Sequence, residues 1–260
     1  MKYSGIFFIP SSSATPDASK TLLTSLIQNL ESHDSTTHLQ TWHLTHHLLR
    51  SAIPPLPQPE LPIFQHILHH TTLSSRTFCY VSPAPPTKNR AAERRKALHL
   101  PDSSTEPATR ASLMSIPETQ AKAWLDMQHK NLSALWTYKH ALSVFGGQVY
   151  AVGQFEVGVG ELRITRSVAG QTAPIGIAVC ISTPVDGGGE EEGEGKEKGE
   201  VDLQAVQELV RVCWKVVVRG LELGKGEVRE FWMDGVEKEW KGKEAVVRMW
   251  CELLKLRVGL

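Results

Sequence analysis

Four cysteines, Cys79, Cys180, Cys213 and Cys251, are too few and too scattered to build a disulfide framework in a chain of 260 residues. Each lies among apolar neighbours, as in Phe78-Cys79-Tyr80-Val81 and Ala178-Val179-Cys180-Ile181. Buried free thiols of a reducing compartment, cytoplasm or nucleus, explain them more simply than disulfides or a metal site. Net charge is lacking as well: 28 basic and 28 acidic side chains cancel, so no global field draws the chain to nucleic acid or to an anionic membrane. No apolar run approaches the roughly 20 residues that span a bilayer, which points away from a membrane protein. The opening Met1-Lys2-Tyr3-Ser4-Gly5-Ile6-Phe7-Phe8-Ile9-Pro10 is only briefly apolar and has no small-residue cleavage site. It reads as a buried first strand rather than a signal peptide. The sequence also holds no Gly-x-Ser-x-Gly elbow, no phosphate loop ending Gly-Lys-Ser/Thr and no dinucleotide fingerprint after a strand.

What is present is the composition of a globular protein, 41% hydrophobic and 22% charged, with enough chain for one large domain or two small ones. Gly5 to Ile9 is a strand stopped by Pro10. Asp17 and Ser19 offer N-caps for a helix whose Leu22, Leu23, Leu26, Ile27 and Leu30 form one stripe. Trp42, Leu44 and Leu48 alternate through a half-buried strand. Prolines 54, 55, 57, 59 and 62 carry the chain over the surface, and Ile63 to His70 suits one or two helical turns. Arg76 to Ser82 is another strand. Pro83 to about Arg110 reads as a long mobile loop around the basic run Lys88-Asn89-Arg90-Ala91-Ala92-Glu93-Arg94-Arg95-Lys96.

Order resumes at Leu113-Met114-Ser115-Ile116. Pro117 fits the first turn of a helix reaching about Trp136, with Trp124, Gln128, Leu132, Leu135 and Trp136 on one face. Gly146-Gly147 makes a turn, Gln148 to Thr165 is two strands or one bent strand, and Gly153, Gly158 and Gly160 mark kinks. Ile175 to Thr183 is a strong strand. The glycine- and glutamate-rich insert, residues 186–200, has nothing with which to build a core and is expected to be disordered. Two helices close the chain, one lined by Leu203, Val206, Val210, Cys213 and Val217, the other by Val246, Met249, Trp250, Leu253 and Leu254. A strand from Val228 to Met233 separates them. This is not the alternation of a doubly wound sheet. It predicts an α+β fold, a mainly antiparallel and strongly curved sheet or β-barrel flanked by helices, in a single domain over residues 1–260 with insertions at 83–111 and 186–200.

Two histidine clusters share a spacing, His43-Leu44-Thr45-His46-His47 and His66-Ile67-Leu68-His69-His70. Imidazoles three or four apart meet one metal ion on a helix, but the first cluster lies in a strand and neither contains the Glu of a zinc motif. They read as solvated surface histidines, with no metal and no cofactor. Glycines 153 to 160 alternate with Phe155, Val157 and Val159 in strand fashion, so they do not cradle phosphate. Glu156 and Glu161 are the acids of this region, and nothing in the sequence gives them a partner. No catalytic, cofactor-binding or metal-binding residue is assigned. Trp124, Trp136, Trp214 and Trp250 are read as helical core residues, and Trp232 and Trp240 as possible interface anchors. The basic run fits a solvated loop better than a nuclear-import signal or a nucleic-acid contact, because Glu93 interrupts it and no aromatics are interleaved.

The order of these segments is more specific than any one of them. Gly5-Ile6-Phe7-Phe8-Ile9-Pro10, Trp42…His46…Arg50, Arg76-Thr77-Phe78-Cys79-Tyr80, Ser115-Ile116-Pro117, Leu135-Trp136-Thr137 and Gly146-Gly147-Gln148-Val149-Tyr150-Ala151-Val152-Gly153-Gln154-Phe155-Glu156-Val157 lead to Gly160-Glu161-Leu162-Arg163. The chain resembles the fungal branch of Mediator subunit 20, a head-module component. The resemblance implies a β-barrel with flanking helices, no enzymatic activity and a nuclear location. It also implies a heterodimer with Mediator subunit 18, a tether through Mediator subunit 8, and a coregulator role for RNA polymerase II. Two other readings remain open at this point. A barrel enzyme with an enclosed small-molecule site requires a deep pocket with convergent polar groups. A nucleic-acid binder requires affinity that falls with salt and depends on Arg90, Arg94 and Arg95.

Overall fold

The computed structural model describes residues 2–11, 16–52, 62–73, 75–83, 111–165, 172–185, 203–223, 226–233 and 242–255. The predicted loop after Pro83 with its basic run, the insert at 186–200 and Trp240 lie outside these residues. The elements are β1 (Lys2–Pro10), α1 (Pro16–Glu31), β2 (Thr36–Thr41), β3 (Leu44–Ser51), β4 (Ile63–His70), β5 (Arg76–Pro83), β6 (Ser112–Pro117), α2 (Glu118–Lys130), β7 (Trp136–Val152), β8 (Phe155–Thr165), β9 (Thr172–Pro184), α3 (Leu203–Val217), β10 (Arg229–Trp232) and α4 (Lys243–Lys255). The class is α+β with antiparallel strands and flanking helices, as the sequence predicts. The contacts divide into two compact units, Met1–Leu44 with Leu142–Leu260, and Thr45–Ala141.

In the first unit the strand order is β10-β1-β9-β8-β7, with β2 paired to β7. The order ends in edge strands, so of the two forms anticipated the open sheet is the one found. β1 pairs along its length with β9, from Lys2↔Pro184 to Pro10↔Gly176. Phe7 and Ile9 of β1, Val157 and Val159 of β8, and Ile177, Val179 and Ile181 of β9 meet the stripes of α1 (Leu23, Leu26, Leu30) and α3 (Val210, Cys213, Trp214, Val217) in one core. The Trp214 indole stacks on Phe7 at 4.5 Å between ring centroids. Buried apolar side chains of this size each contribute about 1.5–3 kcal/mol, so this core holds both helices to the sheet. α1 begins at Pro16, which places Asp17 inside the first turn rather than at the cap. There its charge still favours the helix dipole.

The glycines of this unit do something other than the sequence predicts. β7 runs through Gly146-Gly147 without turning, with Gly146 at φ +62°. The Trp42 amide donates to the Gly147 carbonyl at 3.1 Å, and a Cβ on Gly147 would stand 2.2 Å from the Trp42 carbonyl oxygen. The turn comes later, at Gly153, whose φ is +58°. Gly160 is no kink either. A Cβ there would meet Val144 Cγ1 at 2.6 Å and the Trp42 ring at 3.2 Å, so this glycine makes room for the indole.

In the second unit the order is β7-β3-β4-β5-β6, the first strand represented by its opening residues. β4 is a strand, not the helical turns expected of Ile63 to His70, and it pairs with β5 from Ile63↔Pro83 to His69↔Thr77. The cause of the error is physical. Phe64 through Leu68 are all buried, so both faces are covered and no alternation shows. α2 ends at Lys130 rather than Trp136, with Pro117 just outside its first turn as the N-cap residue. Leu135 and Trp136 donate back to the Leu132 carbonyl in a tight turn, and Trp136 opens β7. Leu49, Ile67 and Cys79 pack under Trp124, Leu125 and Trp136.

Candidate functional site

The histidines of the second unit contradict the expectation of solvated side chains. Neighbouring strands β3 and β4 bring the two sequence clusters together, and alternation along β3 turns His46 to the side of Leu44 and Leu48. His46 and His66 are both fully buried, with His46 Nε2 3.0 Å from His66 Nδ1 in a hydrogen bond. His140 of β7, also buried, lies 6.2 Å from His46 between ring centroids, and Tyr80 lies 5.6 Å from His66. Burial drives His46 well below the ordinary imidazole range, and the charges of His66, His140 and His47 push the same way. His140 is pushed down to about 4 by burial and by His47, and His70 to about 3 by burial and by His69, against an opposing backbone hydrogen bond. His46, His70 and His140 are therefore neutral imidazoles at physiological pH. His43, by contrast, is exposed. Among the described residues no three His, Cys, Asp or Glu side chains are arranged to hold a metal ion.

Cavities lined by described residues open to the surface, among them one in each unit. One, of about 280 Å³, is lined in the second unit by His47, His69, Thr77, Glu118 and Lys122 among others. The Glu118 carboxylate lies 3.5 Å from His69 Nε2. The other, of about 100 Å³, lies in the first unit beside Ile9, Ser19, Leu22 and Ile177. Small-molecule sites occupy roughly 300–1,000 Å³, and both of these cavities are smaller. The barrel-enzyme alternative gains no support from either cavity.

Glu156 and Glu161, left without partners by the sequence, both have them. Lys2 reaches Glu156 at 2.7 Å on the surface. Glu161 is 1% exposed and accepts from the Ser19 hydroxyl and from Arg163 Nε, the latter at 2.6 Å. Its carboxylate ties α1 to β8. The tryptophans are equally committed. The Trp42 indole donates to the Val159 carbonyl at 3.1 Å and packs 5.6 Å from Trp250. Trp136 is half-buried against the cluster of Leu49, Ile67 and Cys79, from a strand rather than a helix. Trp232, the anchor candidate among the described residues, is half-buried against Phe7 and under the Arg211 guanidinium.

The surface offers strand edges. Among the described residues β10 closes one end of the first unit's order and β6 one end of the second's. Unpaired backbone along such edges is a ready template for another chain. No helix among the described residues is long and apolar enough to cross a membrane.

A family model described as "TATA-binding related factor (TRF) of subunit 20 of Mediator complex" matches residues 1–183. No curated protein matches the chain. Among solved structures, the PH1819 protein from Pyrococcus horikoshii OT3 aligns over 87% of this chain and 93% of its own at 10% identity with a TM-score of 0.37, too distant to bear on the fold. The family match spans well over half of the chain, so the chain belongs to the family of the TATA-binding related factor of subunit 20 of the Mediator complex.

Proposed function

We propose that this chain is a non-catalytic subunit of the Mediator head module that forms a heterodimer with subunit 18 and is tethered through subunit 8. In this reading it acts in the nucleus as a coregulator supporting RNA polymerase II, and it stands in the fungal branch of the family. It needs no cofactor or metal, meets no membrane and reads no DNA sequence itself. The observation that carries the reading is the family match over residues 1–183, since membership implies a Mediator subunit's role in transcription. The chemistry of the side chains supports it. Burial keeps His46, His70 and His140 neutral, Glu161 is held by Ser19 and Arg163, and Cys79, Cys213 and Cys251 are buried without a disulfide. Exposed strand edges supply a physical route to partner binding, by strand addition or by packing of sheets.

Co-expression with subunit 18, with and without subunit 8, followed by size-exclusion chromatography at micromolar concentration tests it. A single co-eluting peak is expected, and separate elution would refute the heterodimer. A direct nucleic-acid contact predicts instead a salt-dependent affinity that is lost when Arg90, Arg94 and Arg95 are replaced.

A further inference from the structure

α2 is held to its sheet more weakly than the other helices are to theirs. Among the described residues it buries one side chain, Gln128, where α1 and α3 bury four each and α4 eight. Its apolar hold is Trp124 and Leu125, partly buried on Leu49, Ile67 and Cys79. No side chain caps its first turn. The Glu118 carboxylate stands 3.5 Å from His69 Nε2, longer than the roughly 2.7–3.2 Å of a good hydrogen bond. The sheet face beneath suits water as much as a helix. Alternation along β3, β4 and β5 puts Thr45, His47, His69 and Thr77 on the side of Leu49, Ile67 and Cys79. Six buried polar atoms here have no hydrogen-bond partner among the described residues: His47 Nδ1, Gln65 Oε1, His69 Nδ1, Thr77 Oγ1, Trp124 Nε1 and Gln128 Oε1. Each unmade bond works against closure by the desolvation of its group. Between helix and sheet lies the cavity of about 280 Å³, walled on the helix side by Glu118, Ala121, Lys122 and Leu125. Close-packed interiors leave few voids larger than a water molecule.

We propose that α2 is a lid. It lifts as a unit about Pro117 and the turn at 131–135, uncovering the face of β3, β4 and β5 while the sheet stays paired. Both ends of the lid are fixed in the sheet, since Pro117 pairs with Arg76 and Trp136 opens β7. Lifting hydrates the six polar atoms and gives up the contacts of Trp124 and Leu125. The two terms oppose each other, so opening costs far less than unfolding of the unit. An antiparallel sheet tolerates one face in water. β4 and β5 keep their ladder and the opposite face, where Phe64, Leu68, Phe78 and Tyr80 are buried. The lid gates that polar face and the thiol of Cys79, which lies beneath Trp124 and Leu125 and is 1% exposed. The device belongs to the second unit and does not depend on the Mediator reading.

Native-state hydrogen exchange of the full-length chain in sub-denaturing urea, with maleimide labelling of Cys79 read by mass spectrometry, tests the lid. The amides of residues 122–130 are expected to exchange faster than those of β4 and β5 by about 100-fold or more, through an opening with little urea dependence. Cys79 should be labelled over hours, at the rate set by the same opening. Thr77→Val removes one unpartnered hydroxyl at nearly constant shape, so it is expected to slow α2 exchange and Cys79 labelling about 10-fold. Helix amides that exchange in step with β4 and β5, with the same urea dependence, would overturn the proposal. So would labelling of Cys79 only on global unfolding. A Thr77→Val variant that fails to slow α2 exchange would overturn it too, because the hydroxyl would then be helping to hold the closed interface.

Discussion

Acid is the perturbation to which the histidine arrangement is most sensitive, and the sign follows from where the protons bind. In the unfolded chain each imidazole takes a proton as pH falls through its ordinary value of 6.5. In the folded chain His140 takes one only near 4 and His70 only near 3. Below 6.5 the unfolded state therefore binds more protons, and stability falls with falling pH until the folded values are reached. For His140 the full drop from 6.5 to about 4 is worth about 3 kcal/mol. At about pH 5 each of these two histidines has removed about 2 kcal/mol, together about 4 kcal/mol. His46 and His47 act in the same direction. Against a total stability of about 5–15 kcal/mol that loss is large. Urea unfolding followed by circular dichroism at about pH 7.5 and about pH 5 measures it. His140→Phe removes one of the protonation sites, so it should lose about 2 kcal/mol less than wild type between the two pH values. Equal losses in wild type and variant, or a wild-type stability flat over this range, would refute the reasoning.

Three further expectations concern other contacts. Gly147→Ala places a Cβ against the Trp42 carbonyl oxygen and should destabilise by about 1–3 kcal/mol in urea unfolding, more if the backbone cannot shift. Arg163→Met leaves the buried Glu161 carboxylate with Ser19 alone; because Arg163 is partly exposed, the expected cost is about 2 kcal/mol rather than the full 3–5 of a sealed pair, and Glu161→Gln should recover part of it. Burial raises the thiols, Cys180 to about 12 and Cys213 to about 11. A thiol reagent at neutral pH should therefore label four cysteines in denaturant and fewer than one, on average, in the native protein within the same minutes.

The elements that the sequence made legible are those with one covered face. α1 and α3 carry clean stripes, and β3 alternates through Leu44, His46 and Leu48. Where both faces are covered, as in β4, or both exposed, as in β2, the period disappears and so does the reading. β7 misled for a local reason, because glycines that mark turns elsewhere serve here to let Trp42 approach the strand. The buried histidines were half legible. The same alternation that buries Leu44 and Leu48 buries His46, whereas the convergence of His66 and His140 depends on strand order, which spacing does not encode. The partners of Glu161 were invisible for a similar reason, since Ser19 is 142 residues away.

The account depends most on this chain working as a Mediator subunit through its partners. Affinity purification of the tagged full-length chain from nuclear extract, with quantitative mass spectrometry, tests that directly. Stoichiometric recovery of subunits 18 and 8, with the remaining head module and RNA polymerase II in lower yield, is the predicted result. A tagged chain recovered without any Mediator subunit, in an extract from which a tagged subunit 8 brings down the module, would contradict it.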